Sequence, residues 1–417
     1  MENESNTPFL RFWGYTDAWG QERLGEMLVK NDERNKDVAF DNVESVSNKT
    51  GFTKQTEQFD DYSVASADLS NYYVIRERQF AYNPSRINVG SIAYKEKGAE
   101  IGVVSPLYIS FSTKEMLDDR FLWYWFKTYS FDYQRHTLSE GGVRDTLSFD
   151  KIAQMEIKLP GLKEQQEIGR VLHSVDSLLS LHQRKLEKLQ EIKKSLLQNM
   201  LPAEGEDRPK IRFGGYTDAW GQERLGDVAD IVGGGTPSTN VPEYWDGDIN
   251  WFAPAELAGQ RFAFRSLRRI TKAGLANSSA KMLPVGTVLF TSRAGIGTTA
   301  ILTEEASTNQ GFQSIVPHKD ELDSYFVYSM TPKLKKYGET KGAGSTFVEV
   351  SGKQMSNMPI MLPKDFKEQQ EIGKFFQGLD DLLSLHQRSP FLTQTSPANA
   401  LMTRSMSLFS SSWMMWR

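Results

Sequence analysis

Apolar residues recur at alternating spacings of four and three between Leu162 and Met200. No Pro interrupts them, and this spacing is typical of the seam of a coiled coil, so it predicts one long helix. A second segment near residues 365–388 repeats the pattern. The predicted seam positions are Ile168, Leu172, Val175, Leu179, His182, Leu186 and Leu189 in the first helix, and Ile372, Phe376, Leu379, Leu383 and His386 in the second.

The apolar stripe has two interpretations. Each helix could lie with its stripe on its own domain, or the two helices could pair and bury each other's seams. The presence of two matching helices in one chain favours pairing. His182 and His386 occupy equivalent seam positions; a polar residue that sets the register is the simpler interpretation, and a pH-sensing role is the alternative.

The remaining pattern predicts an α+β protein. The segments RINVGSIAYK and VGTVLFTS are β-branched runs between glycines, which is typical of strands. The segment RFLWYWFKTYSF, which begins at Arg120, carries aromatic residues at helical spacing. It is predicted to be a core helix of the first domain, and a base-stacking role is the alternative. A polar stretch, AEGEDRPK, follows Pro202 and predicts a linker.

The chain contains an internal duplication. FWGYTDAWGQERLGEM begins at Phe12 and FGGYTDAWGQERLGDV at Phe213, while KEQQEIG begins at both Lys163 and Lys367. The two halves therefore share their opening and closing elements and differ in the middle. A weaker alignment relates residues 89–92 (VGSI) to residues 285–288 (VGTV). A repeat of this length indicates a duplicated domain, because solenoid repeats are much shorter, roughly 20–50 residues.

Composition excludes several classes of protein. The 417 residues have a mean hydropathy of −0.49, and neither a membrane span nor a signal peptide is expected. The chain has no cysteine and only five histidines, none at ligand spacing, so no metal site is expected. A formal net charge of −4 counts against a dedicated nucleic-acid binder, although local fields rather than net charge steer a polyanion.

The motifs YNPSRINVGSI, GGGTPSTNVPEYWDGDINW, GTVLFTSRAGIG and STNQGFQ, with the doubled KEQQEIG endings, resemble the specificity (S) subunit of Type I restriction–modification enzymes. The resemblance covers residues 8–388. It implies two tandem target recognition domains, related by a pseudo-twofold internal duplication and separated by two long antiparallel coiled-coil helices. The implied boundaries are 1–160 and 203–364 for the domains, 161–202 and 365–388 for the helices, and 389–417 for an irregular tail.

The same resemblance implies the function. Each domain would read one half of a bipartite, asymmetric site in double-stranded DNA. Two methyltransferase (M) subunits would dock on the helices, and restriction (R) subunits would join for cleavage. The chain itself would be a non-catalytic, cytoplasmic subunit without a cofactor, because it has no nucleotide-binding loop and no methyltransferase motif. Adenine methylation and ATP-dependent cleavage would belong to the other subunits.

The candidate DNA-contacting residues are side chains that can hydrogen-bond to bases or phosphates, several of them in Gly-rich loops. A structural role in an exposed loop is the alternative for each of them. The candidates are Arg76, Arg78, Tyr82, Asn83, Arg86, Lys95 and Arg144 in the first domain, and Thr236, Ser238, Trp251, Arg293, Gln310, Lys341 and Ser345 in the second.

The two closing helices differ after Arg388, where the second copy continues as SPFLTQTSPANA. Pro390 falls at the next seam position, so the second helix is predicted to end near Gln387. Leu186, Leu189 and Leu196 of the first helix would then be partly exposed or would need a methyltransferase subunit to cover them. The alternative function is therefore a truncated, assembly-deficient or recombination-donor allele. A lone methyltransferase and a purely structural coiled coil are disfavoured, by the missing motifs and by the globular halves respectively.

Overall fold

A computed structural model describes residues 8, 10–48, 50–54, 68–139, 146–293, 295–342 and 349–387. The described chain divides into two compact units, and the division falls between Leu181 and His182, inside the first long helix. Each unit mixes helices and strands, in agreement with the predicted α+β class.

The described residues of the first unit form three sheets. Its strands are β1 (Gly20–Arg23), β2 (Leu28–Asn31), β3 (Val43–Ser47), β4 (Gly51–Lys54), β5 (Tyr73–Ile75), β6 (Gln79–Tyr82), β7 (Ile92–Tyr94), β8 (Gly102–Val104), β9 (Ile109–Thr113) and β10 (Glu156–Leu159). The sheet orders are β2-β9-β6-β7, β4-β3-β8-β5 and β1-β10. Its helices are α1 (Leu24–Met27), α2 (Asp119–Trp125), α3 (Tyr129–Leu138), α4 (Phe149–Gln154) and the start of α5 (Leu162–Asn199).

Three sheets are also found in the described part of the second unit. Its strands are β11 (Gly221–Arg224), β12 (Ala229–Gly233), β13 (Trp245–Phe252), β14 (Phe262–Ala263), β15 (Arg268–Ile270), β16 (Val288–Phe290), β17 (Thr299–Leu302), β18 (Ala306–Thr308), β19 (Gln313–Pro317) and β20 (Pro359–Leu362). The sheet orders are β12-β19-β16-β17-β14, β15-β13-β18 and β11-β20. Its helices are α6 (Leu225–Val228), α7 (Lys272–Ala276), α8 (Ser324–Ser329), α9 (Thr331–Gly342), α10 (Gly352–Ser356) and α11 (Phe366–Gln387).

The predicted core helix is confirmed only in part: α2 ends at Trp125, and the rest of the predicted segment belongs to a second helix, α3, which begins at Tyr129. In α2 and the residue after it, Phe121, Leu122, Trp125 and Phe126 are 7% exposed or less, and they pack in one cluster with Phe80. Asp118 caps the helix by accepting a hydrogen bond from the backbone N–H of Phe121 at 2.9 Å.

The sheets correct the alignment of the two halves. In the first unit β6 lies between β9 and β7, and in the second β16 lies between β19 and β17, with antiparallel pairing throughout. Strand β16 is therefore the counterpart of β6, whereas the sequence alignment of residues 89–92 with 285–288 had matched it to β7. Arg78, at φ 64°, and Gly286, at φ 86°, each occupy the left-handed conformation just before these strands.

The duplicated segments contact each other within each unit. The GQER strand β1 pairs with β10, and its copy β11 pairs with β20 in the same antiparallel register. Arg11 forms a two-pronged ion pair with Glu164, both bonds 2.8 Å, and Arg212 does so with Glu368 at 2.6 and 2.8 Å. In each unit, the duplicated opening segment therefore contacts the duplicated closing segment, and these contacts join the opening strand to the closing helix.

The C-terminal half of α5 pairs with α11 in the second unit. The imidazole rings of His182 and His386 stack with centroids 5.0 Å apart. The ammonium group of Lys193 donates to the carboxylate of Asp380. Position 182 meets 386 and position 193 meets 380, so the two helices run antiparallel. Pairing of the predicted helices is thus observed for the part of α5 that follows Leu181.

The prediction of partial exposure is wrong for Leu186, which is only 9% exposed. Leu189 and Leu196 are half-buried, as predicted, and Leu196 packs on the core of the second unit. The reason is the antiparallel direction, which brings the described length of α11 against this half. Helix α11 is described as far as Gln387, so the predicted helix end and Pro390 lie outside the described residues.

Each seam also contacts the core of its own unit, as the second interpretation proposed. Ile168 packs on the first core, while Ile372 and Phe376 are fully buried in the second. Partial burial is found for Leu172, Leu179, Leu189 and Leu379, whereas Val175 is 44% exposed.

Candidate nucleic-acid interface

The loop after β6 presents Arg86, an exposed candidate of the first unit. Asn83 fixes this loop by accepting a hydrogen bond from the backbone N–H of Ser85 at 3.0 Å. The carbonyl group of Pro84 accepts from the backbone N–H of Leu147 at 3.1 Å, which holds the loop beside a second one. The guanidinium of Arg86 is exposed and has no hydrogen-bond or ion-pair partner among the described residues.

Two first-unit candidates are buried, which corrects the prediction for them. Tyr82 has no exposed surface, and its hydroxyl donates to the carbonyl group of Leu147 at 3.0 Å. Lys95 is 3% exposed and forms an ion pair with Glu44. Neither side chain offers surface to a base or a phosphate, so both support the fold.

Arg76 and Arg78 are exposed but already neutralised. Arg76 forms two hydrogen bonds to Glu33, at 2.7 and 3.0 Å, and these hold the pKa of Glu33 below its usual value. Arg78 donates to Asp119 at 2.7 Å. Burial of Asp119 by itself would raise its pKa. This hydrogen bond and one donated by Tyr94 outweigh burial and hold the pKa of Asp119 below its usual value. A phosphate would have to compete with these carboxylates.

Arg144 and Ser345 lie outside the described residues. The residues that follow both segments are described, and they adjoin equivalent loops. Leu147 binds the loop after β6 as described above, and the backbone N–H of Val350 donates to the carbonyl group of Ser292 at 3.0 Å, in the loop after β16.

Two loops of the second unit meet at Thr236 and Gln310. Both residues are exposed, and their side chains are hydrogen-bonded to each other. The backbone N–H of Gly235 also donates to the carbonyl group of Thr308 at 2.8 Å. Ser238 is exposed in the same loop. The motifs GGGTPST and STNQGFQ therefore form one surface.

The glycines of this loop face protein backbone. A Cβ at Gly234 would lie 2.1 Å from the carbonyl oxygen of Asn309 and 2.4 Å from that of Thr308. A Cβ at Gly235 would lie 2.4 Å from the backbone nitrogen of Ala280. These glycines let the loop pack closely against two other segments of the unit, residues 308–309 and residues 279–280.

Gly234→Ala is expected to destabilise the second unit by about 1–3 kcal/mol, because the new methyl group meets backbone atoms that must move. Thermal unfolding of the full chain checks this. Gly214→Ala is the matched control, since a Cβ there meets no atom within 4 Å. Equal melting temperatures for the two variants would contradict the packing role of Gly234.

Trp251 is also buried, at 6% exposure, which corrects its prediction as a contact. Its indole N–H donates to the carbonyl group of Gly235 at 2.8 Å. Trp245, packed edge-on against it, donates to the carbonyl group of Ser238 at 3.1 Å. Both indoles therefore position the loop that carries Thr236.

Sequence reasoning missed Arg268. Its guanidinium carbon lies 3.6 Å from the ring centroid of Trp245, next to the loop of Thr236, and the residue is exposed. It belongs to the segment RFAFRSLRRI, which also exposes Phe264 and Leu267 at 60% and 88%. Four arginines within nine residues were the available signal.

The last two candidates lie near each other in the second unit. Arg293 is half-buried in the loop after β16 and forms an isolated backbone bridge with Glu349. Lys341 is exposed in the last turn of α9, which ends at Gly342 against Glu349 and Ile296. Neither side chain has an ion-pair partner within the described chain.

Other chemistries find little support in the described parts of the chain. No three His, Asp or Glu side chains there are arranged to hold a metal ion. No described helix has the length and apolarity needed to cross a membrane.

Fold and loops together define a duplicated α+β protein in which one scaffold, built twice, carries two different sets of exposed polar loops. The chain belongs to the family of the type I restriction modification DNA specificity domain, whose family model matches residues 23–191 and again residues 217–391.

Named relatives share parts of this chain. The type I restriction enzyme MjaIX specificity subunit of Methanocaldococcus jannaschii is 36% identical over 167 residues, 39% of this chain and 38% of that protein. The EcoR124I/EcoR124II specificity subunit of Escherichia coli is 27% identical over 164 residues, 38% of this chain and 40% of that protein. The chain thus matches less than half the length of each. The S subunit of a type I restriction-modification system from M. genitalium shares the fold, with a TM-score of 0.57 at 14% identity over 96% of this chain and 97% of that one.

Proposed function

We propose that this chain is the DNA-reading, non-catalytic specificity subunit of a Type I restriction–modification complex. The observation that carries the proposal is the contrast between the two units. Their scaffold contacts are duplicated almost atom for atom, as at Arg11–Glu164 and Arg212–Glu368, while the loops at equivalent places differ in sequence. Selection for two different readings on one scaffold accounts for this contrast.

Each unit would read one half of a bipartite, asymmetric site in double-stranded DNA. In the first unit the loop of Asn83 and Arg86 would enter a groove. In the second, Thr236, Ser238, Gln310, Arg293 and Arg268 would do so, with Lys341 placed for a phosphate. Arginine pairs with guanine and Gln or Asn with adenine in the major groove, so these residue types suit base reading.

The partners would dock on the duplicated scaffold. Two methyltransferase subunits would each find the same strand-and-helix surface, since β1–β10 and β11–β20 have the same register. Restriction subunits would join this complex for cleavage. A cytoplasmic location follows from access to DNA.

The test is methylation. Co-expression of this chain with its cognate methyltransferase subunit in a methylation-free host, followed by genome-wide mapping of modified bases, is expected to reveal one split motif with a fixed spacer. A variant in which residues 389–417 are replaced by a second copy of residues 185–200 is the control. If only that variant modifies DNA, the chain is an inactive allele; if neither does, the proposed function is wrong.

A further inference from the structure

One loop of the second unit, residues 264–268, exposes apolar side chains together with arginines. Phe264 and Leu267 are 60% and 88% exposed. Arg265 and Arg268 are also exposed, and neither has an ion-pair partner in the part of the chain that the structure describes. Apolar side chains surrounded by unneutralised positive charge suit a partner that carries both apolar groups and negative charge.

Polar side chains fix the backbone of this loop. Asn250 is 5% exposed; it accepts a hydrogen bond from the backbone N–H of Ser266 and donates one to the carbonyl group of Phe264, both at 3.2 Å. The backbone N–H of Leu267 donates to the carboxylate of Glu256 at 2.6 Å. Because these bonds already order the backbone, a partner that binds the exposed side chains has little conformational entropy to remove.

The loop adjoins the candidate nucleic-acid interface through strand β13. Trp251 of this strand donates its backbone N–H to the hydroxyl of Ser266 at 2.9 Å and its indole N–H to the carbonyl group of Gly235 at 2.8 Å. Arg268 stacks on the ring of Trp245, at the start of the same strand. Strand β13 therefore holds this loop and the GGGTPST loop next to each other.

The strand that leads into the loop has no counterpart in the described part of the first unit. In the second unit β14 is the fifth strand of its sheet, beside β17. The corresponding sheet of the first unit, β2-β9-β6-β7, has four strands among the described residues. A subunit that docks on the duplicated scaffold would meet the same surface twice. An element found on one unit instead suits a ligand that differs between the units, as the two half-sites of an asymmetric DNA site do.

DNA offers the exposed apolar side chains one specific partner in the major groove. Among the base edges there, thymine alone presents an apolar group, its C5-methyl group. Contact between this methyl group and the side chains of Phe264 and Leu267 would remove apolar surface of both molecules from water, which is favourable.

We propose that Phe264 and Leu267 read the methyl group of a thymine in the half-site of the second unit. The arginines beside them would hold the loop against the sugar–phosphate backbone. The inference rests on the proposed function and adds the chemical group that this loop recognises. It requires at least one A·T pair in that half-site, since every A·T pair carries a thymine on one strand.

The test replaces thymine with deoxyuridine, which keeps the hydrogen-bonding groups of the base and removes only the methyl group. Fluorescent duplexes of the mapped motif, each with one such replacement, are titrated with the complex of the full chain and its methyltransferase subunit and followed by anisotropy. One replacement is expected to weaken binding about fourfold, the effect of losing one buried methyl-sized group. In the double variant Phe264→Ala with Leu267→Ala, the thymine and deoxyuridine duplexes should bind equally.

The matched control is Val285→Ala. Val285 is also 60% exposed on the second unit, but it precedes β16, whereas the candidate loop of Arg293 follows that strand. This variant should keep the full difference between thymine and deoxyuridine. Equal melting temperatures of the variants and the unaltered chain show that the fold is retained.

Three results would overturn the inference. If the complex binds the mapped motif and no replacement weakens binding, the loop reads no methyl group, although the proposed function stands. If the double variant keeps the fourfold difference, other side chains read the methyl group. If the double variant no longer associates with the methyltransferase subunit, the loop is a protein-binding face. A complex that neither binds nor modifies any motif contradicts the proposed function itself, and this inference with it.

Discussion

Replacing Glu368 with alanine is expected to lower the free energy of unfolding of the second unit by about 3–5 kcal/mol. Glu368 is 1% exposed and binds Arg212 through two hydrogen bonds, at 2.6 and 2.8 Å. The pair ties the chain before β11 to the first turn of α11. Removing the carboxylate leaves a guanidinium that is only 13% exposed without its counter-charge. Urea unfolding, followed by a probe in the second unit, measures the loss.

Two controls test whether the loss of stability is specific to this buried ion pair. Asp227→Ala breaks an exposed pair with Arg224 and should leave stability unchanged, since exposed pairs contribute little. A double replacement, Arg212→Met with Glu368→Leu, should recover much of the loss because no unpaired charge remains. A Glu368→Ala cost no larger than that of Asp227→Ala would contradict the assignment.

Arg86→Ala and Arg293→Ala are expected to weaken specific DNA binding by about 1–3 kcal/mol each, roughly 5- to 150-fold, and to relax different halves of the recognised motif. The prediction rests on the proposed function. Both residues lie in equivalent loops, after β6 and β16, and neither side chain has an ion-pair partner among the described residues. Methylation mapping of the two variants in complex reads out each half separately.

Arg208→Ala is the matched control, because that arginine is exposed in the segment before β11 and lies beside Asp207. It should change neither half of the motif. If Arg86→Ala weakens binding to all sequences equally and lowers the salt dependence, Arg86 contacts a phosphate. If Arg86→Ala and Arg293→Ala relax the same half of the motif, the assignment of one half-site to each unit is wrong.

Sequence alone was sufficient for features set by local pattern. The long helix α5 begins at the predicted Leu162 because its apolar spacing, with no Pro, specifies a helix from neighbouring residues. The aromatic core helix α2 followed from the same kind of pattern. The duplication, and with it the family, could be recognised because repeated motifs are visible without coordinates.

The candidate interface was only partly visible in the sequence. Arg86, Thr236 and Gln310 are exposed in loops, as their Gly- and Pro-rich surroundings indicated. Tyr82 and Lys95 look the same in sequence, yet one fills the core and the other is buried against Glu44. Burial depends on which distant strands pair, and the polar character of a residue does not reveal it.

Tertiary structure alone decided which half of α5 is covered. The sequence predicted a short second helix, and the resemblance implied an antiparallel pair, but neither showed that α11 covers the residues after Leu181. Likewise, a glycine pattern cannot say whether Gly234 faces a ligand or the carbonyl group of Asn309. Local spacing determines helices and repeats, because it acts between neighbours in the chain. Direction, register and burial arise from contacts between segments far apart in sequence, and only the folded chain brings those together.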